Sequence, residues 1–350
     1  MRKKGVVEVQ FNWIFILIAG GLILFFFINL IAKQRTSSEM SANVDTLQYL
    51  DKILSGTNVE VGTTRNITIN NLNIEITPFL VSLPETTVEG KSVKNKIIFA
   101  PDLIKGNKLV THSLYWECPY KTTYFLYLTS NEVRYIVVNN FQETNPLQDE
   151  LYNLLPDFTT KERISPTSLG TLKDNNNYEV KLIFFNQQPP SYIGELSSSK
   201  SKITAINIIP KDDSSIIDGY GEIEFYEWKN SFIPKGKSYY LKKESLLGAV
   251  LTDNIDYYNE NMKRALGRLN VMTKVYYSNA EELKSYSSND IDLVNNNCPN
   301  IYDLASLSTI IQKTNNQNID ELTFKDIYEN SKKIELFNRD LQRASCPILY

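Results

Sequence analysis

Three cysteines and one histidine limit the chemistry that this sequence can carry. No C-x-x-C pair occurs among Cys118, Cys298 and Cys346, which argues against a redox motif or a zinc ribbon. His112 is the only histidine, so a His-rich metal site is excluded and a Ser-His-Asp triad would depend on that residue alone. With no G-x-S-x-G elbow either, we predict no catalytic and no metal-binding residue.

Two Gly-Lys-Ser tripeptides resemble the end of a phosphate-binding loop: Gly90-Lys91-Ser92 and Gly236-Lys237-Ser238. The first glycine of such a loop is replaced by Glu85 in one and by Ser231 in the other. Without it the backbone cannot form the nest of N–H groups around a phosphate. We therefore interpret both as loops between strands and predict no cofactor.

Paired carboxylates are the third chemical signal. Glu222 and Glu224 alternate onto one face of a predicted strand, with Glu227 nearby, and paired carboxylates serve acid/base catalysis in glycosidases. An exposed sheet face is the alternative interpretation. A second acidic group, Asp212, Asp213 and Asp218, could hold Ca²⁺ through oxygen ligands, but its spacing matches no calcium-binding loop, so we interpret it as an acidic surface turn.

A run of 22 uncharged residues, 11–32, dominates the N-terminal region. As a helix it would span about 33 Å, enough for a hydrocarbon core of about 30 Å, with Trp13 at the interfacial level that indoles favour. The apolar region of a cleaved signal peptide is shorter and ends at small residues. We predict a retained transmembrane anchor, with the lipid bilayer as its partner.

The charges around this run predict its orientation. Arg2, Lys3 and Lys4 precede it, whereas Lys33 and Arg35 follow it. The positive-inside rule then favours a single-pass protein of the cell membrane with a cytoplasmic N-terminus and an extracytoplasmic body. The net charge of -3, from 40 acidic and 37 basic residues, gives no general attraction to nucleic acid.

The N-terminal residues resemble two families. Lys3-Lys4-Gly5 before a long apolar helix resembles the processing site of type IV pilin-like precursors, the class III signals of archaea, which implies cleavage between Gly5 and Val6. In pilins a glutamate usually stands five residues after the cut, whereas Glu8 is third after Gly5. The stretch GVVEVQFNWIFILIAG is also similar to an uncharacterised single-pass family of small-genome archaea. That resemblance implies a mixed domain followed by cysteine-bearing helices.

The hydrophobic pattern predicts an α+β chain in which strands precede helices. An amphipathic stalk helix at 33–56 would continue the transmembrane helix, because apolar residues recur there at three- and four-residue steps: Met40, Val44, Leu47, Leu50 and Leu54. This stripe either packs on its own domain or forms a seam for self-association. We predict five regions: a basic tail 1–10, the membrane helix 11–32, the stalk 33–56, a strand-rich mixed domain 57–255 and a helical region 256–350.

Alternating and branched residues predict the main elements of the body. Candidate strands lie at 67–76, 96–100, 109–116, 124–128, 134–139, 178–185, 202–209 and 221–228. A short helix at 147–155 would allow a parallel pair with a crossover. Three helices are predicted beyond residue 256, the last opened by a capping box from Thr323 to Asp326.

Two covalent modifications follow from this arrangement. If 300–345 forms a helical hairpin, Cys298 and Cys346 come to the same end and can form a disulfide, with Cys118 pairing to either as the rival. Asn66 begins the only N-x-S/T sequon, which makes it a candidate glycosylation site.

Three functions remain open on the sequence alone. The first is a structural or interaction protein of the cell surface, without enzymatic activity, which binds other membrane or cell-surface proteins or itself. The second is a pilin-like filament or surface-assembly subunit. The third is an extracytoplasmic hydrolase that uses the carboxylates of Glu222 to Glu227.

Overall fold

The computed structural model describes residues 5–54, 62–84, 90–138, 146–211 and 218–350. Its first helix, α1 (Gly5–Leu54), is continuous over 50 residues, as the apolar run and the stripe after it predict. Within it Phe15–Gln34 has a mean hydropathy of 2.7, and none of that window is buried. By length and composition this segment could cross a membrane, and a signal sequence has the same character.

The first sheet is mostly antiparallel and is joined to the end of α1. Its strands are β1 (Thr64–Ile76), β2 (Leu80–Ser82), β3 (Lys91–Ser92), β4 (Ile98–Phe99), β5 (Leu103–Glu117) and β6 (Lys121–Ser130), in the spatial order β3-β2-β1-β5-β6-β4. Leu50 of α1 is fully buried in a cluster with Ile74, Ile76 and Val81. The stalk therefore packs on its own domain at this point, while the side chains of Met40, Val44, Leu47 and Leu54 lie outside the described residues.

The second sheet is mixed. Its elements are β7 (Val133–Val138), α2 (Pro146–Leu154), β8 (Thr160–Ile164), β9 (Glu179–Phe185), β10 (Lys202–Pro210), β11 (Tyr220–Trp228) and β12 (Phe232–Leu241). The spatial order is β12-β11-β10-β9-β7-β8. β8, β7, β9 and β10 run parallel, and β11 and β12 complete the sheet as an antiparallel hairpin. The predicted parallel pair around a short helix is thus present.

Helices fill the space between the sheets and complete the C-terminal region. They are α3 (Lys242–Leu251), α4 (Ile255–Asn289), α5 (Ile291–Asn295), α6 (Cys298–Ile301), α7 (Leu304–Asn315) and α8 (Glu321–Arg343). Gly248 of α3 lies against the Phe99 ring of the first sheet, so close that an added Cβ would meet ring atoms at 2.8 Å. One turn further along, directly after α3, the Thr252 carbonyl accepts a hydrogen bond from Lys181 of the second sheet. Helix α3 therefore connects the two sheets through the core.

Two local predictions are wrong. Helix α8 begins at Glu321, and Asp320 is its N-cap, since its carboxylate accepts a hydrogen bond from the Thr323 N–H at 2.7 Å. Thr323 is therefore inside the helix and does not start a capping box. The Gly-Lys-Ser tripeptides are not loops: Lys91 and Ser92 form β3, and Gly236, Lys237 and Ser238 belong to β12, because both segments pair with a neighbouring strand.

Candidate functional site

A partly buried group of charged side chains lies where the parallel strands of the second sheet begin. Glu179 is the first residue of β9 and Lys202 is the first of β10. Lys181 lies on the same face of β9 as Glu179, because side chains two apart in a strand point the same way. Asp253 follows α3 and completes the group with Asp102, which precedes β5. We call these five residues the ionic cluster.

Asp253 is the centre of the ionic cluster, and its side chain is 2% exposed. One oxygen, Oδ1, lies 2.7 Å from the ammonium of Lys181, and the other, Oδ2, lies 2.6 Å from that of Lys202. The Asp102 N–H donates to Oδ2 at 3.3 Å. Lys181 also donates to the Thr252 carbonyl at 2.8 Å. One carboxylate thus joins the first sheet, the second sheet and the end of α3.

Burial and charge act in opposite directions on the pKa of Asp253 and of Lys202. Burial alone would raise the pKa of Asp253, but the ammonium groups of Lys181 and Lys202 hold it below its usual range. Burial would lower the pKa of Lys202, but the attraction of Asp253 raises it. The Asp102 pKa is raised by burial and by the negative charge of Asp253. Asp253 therefore stays ionised at neutral pH.

Burial and the neighbouring charges favour the protonated form of Glu179. It is 1% exposed, and burial together with the nearby Asp253 carboxylate raises its pKa well above the ordinary value. The two ammonium groups already balance the carboxylates of Asp253 and Asp102, so an ionised Glu179 would be an uncompensated buried charge. As an acid it can instead donate a hydrogen bond to Asp253, the carboxyl group that it faces.

Two clefts meet at Lys202. The larger, of about 710 Å³, is the polar cleft, and Lys105, Asn176, Tyr178, Lys200 and Lys202 are among its lining residues. The smaller, of about 310 Å³, is the acidic cleft, and its charged lining residues are Asp102, Lys202, Glu227, Lys235, Asp253 and Asp256. The ionic cluster therefore forms part of the wall between the two clefts.

The predicted pair of carboxylates lies on one face of β11. Glu222 and Glu224 share a face, and Lys237 lies 2.7 Å from Glu222 and 3.0 Å from Glu224. Glu224 also accepts hydrogen bonds from Asn207 and Tyr226; although burial would raise its pKa, these bonds and Lys237 lower it. Glu227 lies on the opposite face by strand alternation and lines the acidic cleft.

The cysteines fall as one of the predicted pairings requires. The sulfur atoms of Cys298 and Cys346 lie 2.01 Å apart, at disulfide distance. Helix α7 is shorter than α8. The segment from Cys298 to Asp303, which includes α6, lengthens the α7 arm of the hairpin, so that Cys298 reaches Cys346. Cys118 is free and buried, with its sulfur 3.2 Å from the Ser331 hydroxyl, and burial raises its pKa to about 11.

The other residues singled out in the sequence are not among the lining residues of either cleft. His112 is part of β5, where its Nδ1 atom lies 3.0 Å from the Thr64 hydroxyl oxygen, and burial lowers its pKa. Asn66 is exposed on β1, as a glycosylation acceptor must be. Gly5 and Val6 are the first residues of α1, and their side chains lie outside the described residues, as do Asp212 and Asp213.

None of the five residues of the ionic cluster was predicted as functional from the sequence. One signal was present: Lys181 interrupts the apolar run Val180-Lys-Leu-Ile-Phe-Phe185. A strand with parallel neighbours on both sides is buried on both faces, so a lysine within it indicates a buried partner of opposite charge. Nothing in the sequence points to Asp253 as that partner, since 71 residues separate Lys181 from Thr252, the residue before it.

Comparison of the chain with protein-family models, with curated proteins and with solved structures finds no match.

Proposed function

We propose that this chain is a membrane-anchored interaction protein whose folded body lies outside the cytoplasm. The observation that carries the proposal is the exposure of the apolar segment of α1. Its large side chains from Phe15 to Ile31 are 46% to 71% exposed, and contiguous apolar surface of this extent is not stable in water. A bilayer offers these side chains the apolar surroundings that the described part of the chain does not provide.

The other end of α1 supports an anchor that is attached to the body. Leu50 is buried against the first sheet, and the helix runs without a break from there to the apolar segment. Lys91 of β3 also lies 3.7 Å from Asp51 of α1. Cleavage of the whole apolar segment would leave the packed end of α1 in place, whereas cleavage after Gly5 would leave the segment attached.

Membrane fractionation tests the anchor. The full-length chain should remain in the membrane pellet after extraction at alkaline pH and should dissolve only with detergent. Replacing Leu24 and Phe26 by arginine places two charges at the centre of the segment, at a cost of about 3 kcal/mol each on insertion scales, and should release the chain. Leu24→Ile with Phe26→Leu is the matched apolar control. Recovery of the wild-type chain in the soluble fraction would refute the proposal.

Two further measurements separate the alternatives. Protease added to intact cells should digest the body if it is extracytoplasmic, and glycan at Asn66, absent from Asn66→Gln, would also report export. The mass of the mature N-terminus distinguishes the fates of α1: a start at Val6 supports a pilin-like subunit, and an intact N-terminus supports a simple anchor. Loss of the entire apolar segment would contradict both.

A further inference from the structure

We infer that the side chains of Lys181 and Asp253 condense to an amide, an isopeptide bond that joins β9 to the linker after α3. The Lys181 nitrogen lies 2.7 Å from Oδ1 of Asp253, and the two side chains are 1% and 2% exposed. The carboxyl carbon is one bond from Oδ1, which brings the reacting atoms close to the separation of about 3–3.5 Å of a near-attack geometry. The ion pair between them is the state before the reaction. This inference does not depend on the membrane anchor.

The two oxygens of the Asp253 carboxyl group are held differently. Oδ2 accepts hydrogen bonds from Lys202 at 2.6 Å and from the Asp102 N–H at 3.3 Å. Oδ1 accepts none from any N–H or alcohol group of the described residues, although the Lys181 ammonium is close to it. The hydrogen bond of that ammonium goes to the Thr252 carbonyl, at 2.8 Å. The carboxyl group is therefore fixed through Oδ2, and Oδ1 is the oxygen that can leave.

The surroundings of Lys181 exclude water and favour the bond. Strand β9 has parallel neighbours on both sides, and Tyr135 and Ile183, which share the face of Lys181, are fully buried. Two charges are costly to keep in such a place, whereas condensation replaces them by a neutral amide and releases one water molecule. The fold also holds the two groups together at an effective concentration that can reach about 10⁵–10⁸ M.

Glu179 carries the protons that the reaction moves. It lies on the same face of β9 as Lys181 and faces the Asp253 carboxyl group. The nitrogen lone pair of Lys181 forms the bond to the carboxyl carbon, and the bond from that carbon to Oδ1 breaks. The nitrogen gives up two protons and Oδ1 leaves with two, as water. Glu179 donates to Oδ1 and is protonated again from the nitrogen, so it is unchanged at the end and no further reactant is needed.

Lys202 is the rival nucleophile, and its exposure argues against it. Its side chain is 38% exposed, so water solvates its ammonium group, whereas that of Lys181 is dry. The Lys202 ammonium instead draws electrons toward Oδ2, which makes the carboxyl carbon of Asp253 easier to attack. After condensation the charges of Lys202 and Asp102 still balance while Glu179 keeps its proton, so the wall between the two clefts is preserved.

Intact-mass spectrometry of the full-length chain tests the inference. After denaturation and reduction of the disulfide, the wild-type chain should weigh about 18 Da less than its sequence requires, which is the mass of one water molecule. Lys181→Arg is the matched control. It keeps the positive charge, but a guanidinium does not lose its proton in proteins, so this variant should have the full mass. A wild-type chain of full mass overturns the inference.

Tryptic peptides locate the bond. Trypsin does not cut after an acylated lysine, so the peptide 174–200 should stay whole and carry the peptide 244–263 as a branch from Lys181 to Asp253. A branch that starts at Lys202 overturns the inference. Loss of water without a branch, as in a cyclic imide at Asp253, overturns it as well.

The rate of bond formation tests the role of Glu179. The chain is synthesised in a short pulse in a cell-free extract with detergent, and the branched fraction is measured at intervals afterwards. Glu179→Gln keeps the shape of the side chain but cannot carry protons, so the bond should form at least about tenfold more slowly. Glu224→Gln is the control and should react at the wild-type rate. A wild-type rate in Glu179→Gln overturns the proton transfers assigned to Glu179.

Discussion

Replacement of Glu179 by glutamine should change how the stability of the protein depends on pH. In the folded chain the Glu179 carboxyl keeps its proton, because burial and the Asp253 carboxylate raise its pKa well above the ordinary value of 4.5. In the unfolded chain the same carboxyl ionises above about pH 4.5. The folded state therefore binds more protons than the unfolded state, so this group makes the protein less stable as pH rises.

The magnitude follows from one proton. When the folded chain holds one proton more than the unfolded chain, the free energy of unfolding falls by about 1.4 kcal/mol per pH unit. Over the pH range above about 4.5 in which the folded carboxyl keeps its proton, the wild-type chain should therefore lose that amount per pH unit relative to Glu179→Gln. The glutamine amide can donate to Asp253 as a protonated carboxyl can, so the variant keeps a donor at this position without the titration.

The assay is denaturant unfolding of the full-length chain in detergent at several pH values, with the variant measured beside the wild type. Glu224→Gln is the matched control. Hydrogen bonds from Asn207 and Tyr226, together with Lys237, lower the Glu224 pKa against the effect of burial. Glu224 therefore contributes stability above its ordinary pKa and loses it only at lower pH. The difference between Glu224→Gln and the wild type should stay constant over the same window.

One result would refute this reasoning. If the free-energy difference between Glu179→Gln and the wild type does not change with pH, the folded and unfolded chains hold the same number of protons at this position. Glu179 would then be ionised beside Asp253, and the charge balance of the ionic cluster would be wrong. A difference that grows with pH and then levels off would give the pKa of Glu179 in the folded chain.

Three further substitutions probe the core. Asp253→Asn leaves Lys181 buried without its counter-ion, and should cost about 3–5 kcal/mol in denaturant unfolding; a loss below about 1 kcal/mol would contradict the ionic cluster. Serine at both Cys298 and Cys346 opens a loop of 48 residues, which should cost about 4 kcal/mol in the chain-entropy model; an unchanged melting temperature would show that the bond does not form. Gly248→Ala drives a methyl group into the Phe99 ring and should cost about 1–3 kcal/mol of the free energy of unfolding, measured by calorimetry. An unchanged free energy of unfolding would show that the core repacks around the methyl group.

Much of the fold could be predicted because local patterns determine it. Helix α4 has a 3.6-residue apolar period and an Asn254 cap that accepts hydrogen bonds from two N–H groups. The strands β9 and β10 are apolar runs between loops, and their predicted bounds differ from the observed ones by one residue. The meeting of Cys298 and Cys346 followed from the helical hairpin.

Two of the elements that were missed lack such a pattern. Helix α3 is buried at eight of its ten residues, so it has no polar face and shows no helical period. The edge strand β8 (TKERI) is polar, because only β7 pairs with it, and its sequence lacks the branched apolar residues that mark a strand. Only tertiary contacts specify these two elements.

The ionic cluster shows why the site itself could not be predicted. Charged groups of this kind rarely add net stability, because a buried ion pair is about as stable as an apolar replacement of the same shape. What this cluster does contribute is position: Asp253 holds the Lys202 ammonium and the Asp102 N–H on the same carboxylate oxygen. The wall of the acidic cleft is therefore fixed by one residue in a three-residue linker between α3 and α4. Sequence patterns describe faces of helices and strands, whereas this wall is built where a linker meets the first residues of two strands, so only the folded chain reveals it.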